Sequence, residues 1–250
     1  GEIKPMPQVA IFADTGWEPK AVYEWLDWLE KKLPYPVVRV AKGNLREDNV
    51  TARVRGVKSE GQRWASLPYF TTSPDKDRGQ ISRQCTSEYK IMPIETYLKR
   101  EVLGLIPRKR LPTEPQLIQW RGISTDERRR AKLSREKWFD VRYPLIEAGM
   151  TRGHCLEWMA NKGYPAPPRS ACIGCPYHSD AEWLRIKTET PDEWADVVDF
   201  DKRIRVAGGT RGETFLHSSL KPLDEVDLLT PKSAGQQDMF GEECEGMCGL

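Results

Sequence analysis

Long apolar segments are missing from this 250-residue sequence, although 38% of its residues are hydrophobic. No run approaches the roughly 20 apolar residues that a membrane-spanning helix requires. The first residues, Gly1-Glu2-Ile3-Lys4-Pro5, also lack the apolar centre of a secretion signal. These two absences predict a cytoplasmic protein that has no membrane partner.

An excess of one charge is also missing, and histidine and cysteine are scarce. The 39 Lys and Arg residues nearly balance the 37 Asp and Glu residues, so binding of a nucleic acid or an acidic surface needs a local patch. Three scattered histidines, His154, His178 and His217, exclude a histidine-rich metal site, and no Ser/His/Asp or paired-carboxylate pattern stands out. Six cysteines are too few for a disulfide scaffold in so long a chain, which favours metal or redox chemistry.

The residues that are present predict a β-α-β unit at the start of the chain. Residues 9–13 (VAIFA) form the short apolar run typical of a buried strand, and Asp14-Thr15-Gly16 ends it. Apolar residues then recur at helical spacing until Pro34, and residues 36–40 (PVVRV) predict a second strand. A helical crossover between two strands implies parallel pairing, so we expect an α/β fold.

The middle of the chain contains one irregular stretch. Residues 43–82 are polar, are broken by glycine and proline and show no sustained period, which predicts a long, partly mobile excursion. A helix is expected from about Ser87 to Leu103, with a kink or a restart at Pro93. Its predicted inner face consists of Met92, Ile94, Tyr97, Leu98 and Val102.

The remaining elements are predicted from apolar runs and capping signals. Residues 117–123 predict a third strand, and residues 124–127 (STDE) predict the cap of a basic helix that begins near Arg128. A helix is expected over Thr151–Asn161, with Thr151 as its N-cap and Gly163 as its stop. Two further helices are predicted over residues 180–187 and 193–204, and the tail after about Thr210 is expected to be irregular.

The end of the first predicted strand carries the first sign of a binding site. Ligands of open α/β sheets bind beyond the carboxyl ends of the strands, where Asp14-Thr15-Gly16 falls, although an ordinary turn has the same composition. Residues 11–16 (IFADTG), followed by Glu18, Pro19 and Tyr23, resemble the Phe-x-Asp-Thr-Gly…Glu-Thr-Tyr segment of phosphoadenosine phosphosulfate (PAPS) reductases. Those enzymes belong to the pyrophosphatase-loop superfamily.

Four further stretches resemble that family in the same order. Residues 84–94 (QCTSEYKIMPI) are similar to Cys-Cys-x-x-x-Lys-x-x-Pro-Leu, with Gln84 at the first cysteine. Residues 122–130 (GISTDERRR) are similar to Gly-x-Arg-x-Asp-Glu-Ser-x-x-Arg, and residues 143–158 are similar to Pro-Leu…Trp-Thr-x-x-Asp-Val-Trp. Residues 172–176 (CIGCP) fall where the family has Gly-Cys-x-x-Cys.

The resemblance covers about residues 8–185 and implies the superfamily's doubly wound, mostly parallel sheet. We therefore expect an adenine nucleotide alpha hydrolase-like domain over residues 1–150, a helical, cysteine-bearing region over residues 151–210 on the same core, and an irregular tail over residues 211–250. The resemblance also implies an adenylyl site for ATP or adenylyl sulfate. The implied nucleotide-binding residues are Asp14, Thr15, Gly16, Lys90, Arg128 and Arg129, with an arginine gripping phosphate or sulfate.

One part of the superfamily pattern has no counterpart. Its Ser-Gly-Gly-x-x-Ser phosphate loop would precede Val9, where only eight residues lie. Residues 207–212 (AGGTRG) are rich in glycine, but they follow a predicted helix rather than a strand, as a C-cap or turn does. Either the chain is truncated or other groups hold the phosphates, and the missing loop argues against ATP turnover by this chain.

The Cys-x-x-Cys pair is the second sign of chemistry. Two intervening residues make a tight turn, so Cys172 and Cys175 can both reach one ion; a redox dithiol is the alternative. The family match implies Cys85 as a third ligand. Cys155, His178 or an exogenous group is left for the fourth, with a plain core thiol as the alternative for Cys155. All-sulfur ligation suits an iron–sulfur cluster or Zn²⁺, and the resemblance favours [4Fe-4S].

The C-terminal residues and a basic strip complete the candidates. Residues 243–250 resemble the Glu-Cys-Gly-Leu-His tail that carries the nucleophilic cysteine of PAPS reductases, which implies Cys244 and Cys248 as catalytic residues. A frayed end or an accessory metal ligand is the alternative. A strip with the charge to follow a nucleic-acid backbone contains Lys99, Arg100, Arg108, Lys109 and Arg110, near Trp120.

Three hypotheses about function follow from these patterns. The first is a PAPS reductase-like enzyme, in which a thiol reductant such as thioredoxin completes sulfur transfer or reduction at the cysteine centre. The second is ATP-dependent thiolation of a nucleic acid, either tRNA or DNA. The third is a metal-stabilised binding module without catalytic activity. A homodimer is left open in all three.

Overall fold

The computed structural model describes residues 3–54, 66–73, 76–107, 109–205 and 212–228, which form a mixed α/β structure. Its strands are β1 (Ala10–Asp14), β2 (Val37–Ala41), β3 (Phe70–Ser73), β4 (Lys76–Gln80), β5 (Leu117–Trp120), β6 (Phe139–Arg142) and β7 (Thr214–Phe215). Its α-helices are α1 (Lys20–Glu30), α2 (Leu45–Val54), α3 (Met92–Tyr97), α4 (Pro144–Glu147), α5 (Arg152–Asn161), α6 (Asp180–Glu189) and α7 (Pro191–Ile204). None of the helices in these residues is long and apolar enough to cross a membrane.

The strands of the described residues belong to three short sheets. β1 pairs with β2 in the first sheet, and β5 pairs with β6 in a parallel sheet whose register runs from Leu117 opposite Phe139 to Trp120 opposite Arg142. The third sheet is antiparallel, with β3 between β4 and β7. The α/β class is therefore confirmed, whereas the doubly wound sheet stays a prediction.

The chain divides into two compact units, and each draws on separated segments. The first unit contains residues 1–11, 24–38 and 94–169, and the second contains residues 12–23, 39–93 and 170–250. The chain changes unit inside β1, α1, β2 and α3. The predicted domain boundaries at residues 150 and 210 stay predictions.

The β-α-β unit predicted at the start of the chain is present. β1 carries the apolar run, α1 follows Pro19, and the Ala10 N–H donates to the Pro36 carbonyl at 2.9 Å. Val22 and Leu26 of α1, one helical turn apart, are both buried. Apolar periodicity identified this helix because its buried positions are all apolar.

Three later helices begin close to the positions that the capping signals indicate. The Thr151 side chain accepts the His154 N–H at 3.1 Å, and the Thr151 N–H donates back to His154 Nδ1 at 3.3 Å, which closes a capping box at the start of α5. Gly163, with φ of 68°, follows the end of the same helix. α6 and α7 cover the residues predicted for them.

The irregular excursion predicted over residues 43–82 is wrong in its described part, because the regular elements α2, β3 and β4 lie inside it. Asn49 is only 2% exposed, one turn after the fully buried Leu45, and this polar residue on the inner face interrupts the apolar period of α2. Its side-chain amide donates to the Leu45 carbonyl at 2.7 Å. Its side-chain oxygen accepts the Ser66 N–H at 3.2 Å and the Tyr69 hydroxyl at 3.0 Å. Partners from another segment therefore satisfy a buried polar residue that interrupts the apolar pattern.

The helix predicted from Ser87 to Leu103 contains turns of two kinds. π-type segments over Thr86–Ile91 and Leu98–Val102 flank α3, and the Met92 N–H bonds to the Ser87 carbonyl, five residues earlier. The disturbance predicted at Pro93 therefore takes the form of a change in helix type.

The wide turns also change which side chains of this helix point inward. Leu98 is buried as predicted, but Met92 is 52% exposed and Val102 is 43% exposed. The predicted inner face is thus wrong at these two positions. A spacing of 3.6 residues per turn no longer holds where the hydrogen bonds span five residues.

The region around the third predicted strand differs in detail. β5 ends at Trp120, and a 3₁₀ helix over Thr125–Arg130 replaces the helix predicted from Arg128. Ser124 precedes it without a side-chain capping bond. β6 was not predicted, although its residues, Phe-Asp-Val-Arg, alternate between apolar and polar as in a half-buried strand.

Each unit has its own apolar core. The core of the second unit includes Trp17, Leu45, Tyr69, Cys172, Ile173, Trp183 and Phe200. A smaller cluster in the first unit is formed by Leu98, Trp138 and Phe139. The first cysteine of the Cys-x-x-Cys pair is therefore positioned by the packing of the second unit.

Candidate functional site

Two loops of the second unit meet at the carboxyl end of β1. Gly16 has φ of 69°, and a Cβ atom there would lie 3.1 Å from Asn44 Cα, so the close approach favours glycine. The Asn44 amide donates to the Gly16 carbonyl at 2.9 Å, and the Leu45 N–H donates to the Thr15 carbonyl at 2.8 Å. The predicted Asp14-Thr15-Gly16 loop is therefore fastened to the start of α2.

The Asp14 carboxylate organises the same loop. Its Oδ1 accepts the Gly16 N–H at 2.7 Å and the Tyr23 hydroxyl at 2.8 Å. Burial is the main cause of a raised pKa of Tyr23, and the hydrogen bond to Asp14 is the second cause. This hydroxyl therefore stays a donor. Asp14 thus holds the shape of the loop that the sequence assigned to nucleotide binding.

The Cys-x-x-Cys segment forms a tight, buried turn. The Cys175 N–H donates to the Cys172 carbonyl at 3.1 Å, and each cysteine is 8% exposed. His178 Nε2 lies 3.0 Å from the Cys172 carbonyl and 3.1 Å from the Ile173 carbonyl. Because carbonyl oxygens only accept hydrogen bonds, this nitrogen carries a proton. His178 therefore braces the turn, and its Nε2 is not presented as a metal ligand.

This turn lies directly against Trp17. The Ile173 N–H donates to the Trp17 carbonyl at 3.0 Å, and a Cβ atom on Gly174 would lie 2.0 Å from the Trp17 ring. Only glycine leaves room for the indole at this position. The indole N–H donates to Asp196 of α7 at 2.8 Å. Main-chain and ring contacts thus hold the cysteine turn on the loop after β1.

A thiol, a hydroxyl and a carboxylate meet where the turn touches the loop. Cys172 Sγ lies 3.3 Å from Thr15 Oγ1 and donates to Glu18 Oε1 at 3.5 Å. The Thr15 hydroxyl donates to the same oxygen at 3.1 Å, and the Lys90 ammonium lies 3.8 Å from it. We call Thr15, Glu18, Lys90 and Cys172 the thiol site.

Glu18 is the most enclosed charge of the thiol site. Its side chain is 1% exposed, whereas that of Lys90 is 19% exposed. Within the described part of the chain, no hydrogen-bond partner reaches Glu18 Oε2. A buried carboxylate is costly unless it is paired, and Lys90 supplies the opposite charge. One oxygen of Glu18 is left able to accept a further donor.

The environment keeps Cys172 in its thiol form. Burial raises the pKa of Cys172 well above its ordinary value, and the charge of Glu18 acts in the same direction. Lys90 and the Thr15 hydroxyl oppose this change. Since the thiolate is the nucleophile and the metal ligand, activation of Cys172 requires an added positive charge or transfer of its proton.

The resemblance to PAPS reductases gains no independent support. Comparisons with protein-family models, curated proteins and solved structures find no match to this chain. The family assignment stays a prediction, and the chemistry of the thiol site rests on the contacts described above.

Part of the predicted set of site residues lies in one unit. The second unit contains Asp14, Thr15, Gly16, Lys90, Cys85, Cys172 and Cys175. Cys85 packs against the core that contains Cys172, and its electrostatic interaction with Cys172 is one minor cause of the raised pKa of Cys172. The predicted catalytic residues Cys244 and Cys248, and Arg108 of the basic strip, lie outside the described residues.

Other predicted residues belong to the first unit. Arg128 and Arg129 are exposed on the 3₁₀ helix, where Arg130 pairs with Glu127. Cys155 is half-buried in α5, and burial raises its pKa. These positions neither confirm nor exclude the predicted roles in nucleotide and metal binding.

The cysteines fit the predicted metal centre in chemistry. Cys85, Cys172 and Cys175 form no disulfide with any described residue, and soft sulfur ligands suit an iron–sulfur cluster or Zn²⁺. Among the residues with described positions, no three His, Cys, Asp or Glu side chains are grouped as metal ligands. Metal binding would displace the Cys172 proton, which the thiol donates in a hydrogen bond to Glu18 Oε1 in this structure.

Proposed function

We propose that this chain is a PAPS reductase-like enzyme that binds an adenylyl nucleotide and transfers or reduces sulfur beside the thiol site. The proposal includes the doubly wound fold of the pyrophosphatase-loop superfamily and a cytoplasmic location, where thioredoxin and glutathione keep thiols reduced. The contact between Thr15 and Cys172, which are 157 residues apart, carries the proposal. It joins the two segments that the sequence singled out for nucleotide and sulfur chemistry.

The position of this contact supports a ligand site. Loops that follow the carboxyl ends of strands are where α/β sheets bind ligands, and Thr15 and Gly16 directly follow β1. An adenylyl nucleotide held by this loop has its sulfate or phosphate close to the Cys172 thiol. The ammonium of Lys90 supplies the positive charge that such an anion needs, and Glu18 is placed to accept the thiol proton.

The proposal assigns Cys85, Cys172 and Cys175 as ligands of a [4Fe-4S] cluster, with Zn²⁺ as the alternative. A bound cluster would supply electrons or hold a sulfur atom for transfer. Glu18 would then lose the Cys172 thiol as a donor and keep the Thr15 hydroxyl and the Lys90 ammonium as partners within the thiol site. Iron and sulfide analysis of protein purified without oxygen distinguishes the cluster from zinc, and Cys172→Ala should lower either content.

Calorimetry with adenosine 5′-phosphosulfate and AMP tests the nucleotide site. We expect both to bind the wild-type chain. Thr15→Val removes the buried hydroxyl that donates to Glu18 and should weaken binding by about tenfold, because the loop proposed to hold the nucleotide loses this hydrogen bond. Thr188→Val is the matched control, because Thr188 is exposed on α6 and its hydroxyl donates to main-chain carbonyls of the same helix. Absence of measurable binding of either nucleotide to the wild-type chain would contradict the proposal.

A second candidate is thiolation of a nucleic acid, and the charge of the first unit favours it. Of the 39 Lys and Arg residues, 19 lie in this unit, against 13 of the 37 Asp and Glu residues, a net charge of +6. Arg128 and Arg129 are among its exposed side chains. Because the chain as a whole is nearly balanced in charge, binding of a nucleic acid needs a locally positive region, and the first unit supplies one.

Salt-dependent binding to tRNA and to duplex DNA tests this candidate. If Arg128 and Arg129 contact phosphates, the double variant Arg128→Ala/Arg129→Ala should bind more weakly and lower the slope of log K against log salt by about 2. Arg203→Ala and Lys187→Ala, on exposed faces of the second unit, serve as controls of equal charge change. An unchanged slope would exclude these arginines as phosphate contacts.

A further inference from the structure

Three side chains of the second unit form a hydrogen-bonded relay outside the thiol site. Asp180 Oδ1 lies 2.9 Å from His217 Nε2, and Ser219 Oγ lies 2.7 Å from His217 Nδ1. Asp180 is 37 residues before His217 in the chain, which is why no Ser/His/Asp pattern stood out in the sequence. We call these residues the Asp180–His217–Ser219 relay.

The hydrogen-bond donors and acceptors around His217 show which of its ring nitrogens carries the proton. The Ser219 backbone N–H donates to His217 Nδ1 at 3.1 Å, so this nitrogen carries a lone pair. Nε2 then carries the proton and donates it to the Asp180 carboxylate. The unprotonated nitrogen faces the Ser219 hydroxyl, as a general base faces its nucleophile.

The loop that carries His217 and Ser219 is held at both ends. The buried Asp201 carboxylate accepts the Leu216 N–H at 2.9 Å and the Leu223 N–H at 3.1 Å. Leu216 is fully buried and Leu223 is 1% exposed, so apolar packing fixes the same two points. Such support favours catalysis, because a group that is already held in its productive position loses no conformational freedom when it reacts.

The base and the nucleophile of the relay differ in their exposure to solvent, and the conformation of the turn accounts for the difference. The His217 side chain is 7% exposed, whereas Ser219 is exposed. The turn closes with the Leu220 N–H on the His217 carbonyl at 3.2 Å, and Leu220 has φ of 58°, a left-handed conformation that costs energy for a branched side chain. This strained turn presents the Ser219 hydroxyl to solvent above an enclosed imidazole.

We propose that Ser219 is the nucleophile of a second active site, which hydrolyses small carboxylic esters. The Ser219 oxygen attacks the ester carbonyl carbon while its proton moves to His217 Nδ1. The bond from this carbon to the alcohol oxygen breaks, and the alcohol leaves with the proton from Nδ1. Water then attacks the acyl-serine by the same route, which releases the carboxylic acid and restores the serine.

Asp180 is a positioning residue in this reaction. Its carboxylate holds the tautomer in which Nδ1 faces Ser219, and its negative charge stabilises the imidazolium that forms when Nδ1 takes the proton. The site is independent of the proposed sulfur chemistry, since it shares no residue with the thiol site. An ester substrate reaches it directly from solvent because Ser219 is exposed.

Labelling with a fluorophosphonate probe, read by mass spectrometry of the tryptic peptides, tests the proposal together with hydrolysis of p-nitrophenyl acetate. We expect the wild-type chain to be labelled at Ser219. Ser219→Ala should lose the label and hydrolyse the ester about 100-fold more slowly, the usual contribution of an activated nucleophile with its base. Ser218→Ala, a neighbouring serine that is not part of the relay, is the matched control and should behave as wild type.

Asp180→Asn tests the positioning role, because its carboxylate is partly exposed and its loss need not unfold the chain. We expect kcat for p-nitrophenyl acetate to fall while KM and the midpoint of thermal unfolding stay at their wild-type values, a combination that loss of fold does not produce. Absence of label on Ser219 in the wild-type chain, or equal hydrolysis by wild type and Ser219→Ala, would overturn the proposal and leave the relay as a brace of its loop.

Discussion

The two units of this chain differ in the sign of their charge. The first carries 19 Lys and Arg against 13 Asp and Glu, a net +6, and the second carries the remaining 20 against 24, a net −4. The sum is the formal charge of +2 that made the whole sequence look balanced. Composition therefore excludes partners only when it is counted over the segments that fold together.

Their apolar residues differ as well. The second unit buries large side chains, among them Trp17, Tyr69, Trp183 and Phe200. The first unit leaves Ile106, Ile118 and Leu133 at 69%, 57% and 90% exposure. Both hydrogen-bonded clusters for which we propose chemistry lie in the unit with the larger core. A polar group can be held in one position when rigid apolar packing surrounds it.

The largest expected effect on the free energy of unfolding tests this difference in packing between the two units. Phe200 is fully buried, with its ring centroid 4.5 Å from that of Trp17. Phe200→Ala should lower the free energy of unfolding by about 3–5 kcal/mol, because it removes contacts and leaves a cavity. Leu133→Ala in the first unit should change it by less than about 0.5 kcal/mol. Urea denaturation measures both, and similar losses in the two variants would contradict the contrast.

An intermediate effect is expected at two glycines. Gly174→Ala in the second unit places a methyl group 2.0 Å from the Trp17 ring and should cost about 1–3 kcal/mol of stability through overpacking. Gly153→Ala in α5 of the first unit meets only Thr151 Oγ1, at 3.6 Å, and should stabilise by about 0.5 kcal/mol, as alanine does in helices. Thermal unfolding measures both signs. A stable Gly174→Ala variant would show that the cysteine turn is not packed on Trp17.

The smallest effect concerns an exposed carboxylate of the first unit. The Arg152 N–H donates to Asp126 at 3.0 Å, and this bond is the main cause of the lowered pKa of Asp126. A carboxyl whose pKa is lower in the folded state stabilises the fold above its unfolded pKa of about 3.9, and loses this contribution as the pH falls through the folded pKa.

Asp126→Asn should therefore cost less than about 0.5 kcal/mol at pH 7, after solvent screening. The difference from wild type should shrink as the pH is lowered towards 2. Denaturation curves at pH 7, 4 and 2.5 measure it. A difference that grows in acid would contradict the assigned direction.

Elements with local signals could be predicted from the sequence. The apolar run of β1, the Thr151 cap and the glycine after α5 each act within a few residues, so periodicity and capping identified them. α2 was not predicted, because the polar Asn49 lies on its inner face and finds its hydrogen-bond partners in Ser66 and Tyr69, which belong to a different segment. The predicted inner face of the helix was wrong at Met92 because π-type turns change the number of residues per turn.

The candidate sites show the same division. The sequence pointed to Thr15 and Cys172 separately, through a strand end and a Cys-x-x-Cys turn. Trp17, Glu18 and His178 lie within a few residues of those motifs. Nothing in their spacing shows that Trp17 packs under the cysteine turn, that Glu18 accepts its hydrogen bond or that His178 braces it. Those roles depend on contacts such as that between Glu18 and Cys172, which are 154 residues apart.

The sequence by itself determined the α/β class and the positions of most helices, and it singled out the cysteines and loop residues to which we assign chemistry, because these follow from local periodicity and residue type. Only the tertiary structure decided that Cys172 meets Thr15 and Glu18, that burial keeps its thiol protonated, and that Asp180, His217 and Ser219 form one relay. Hydrogen bonds and burial between distant segments arise from the packing of a whole unit, and no short stretch of sequence contains them.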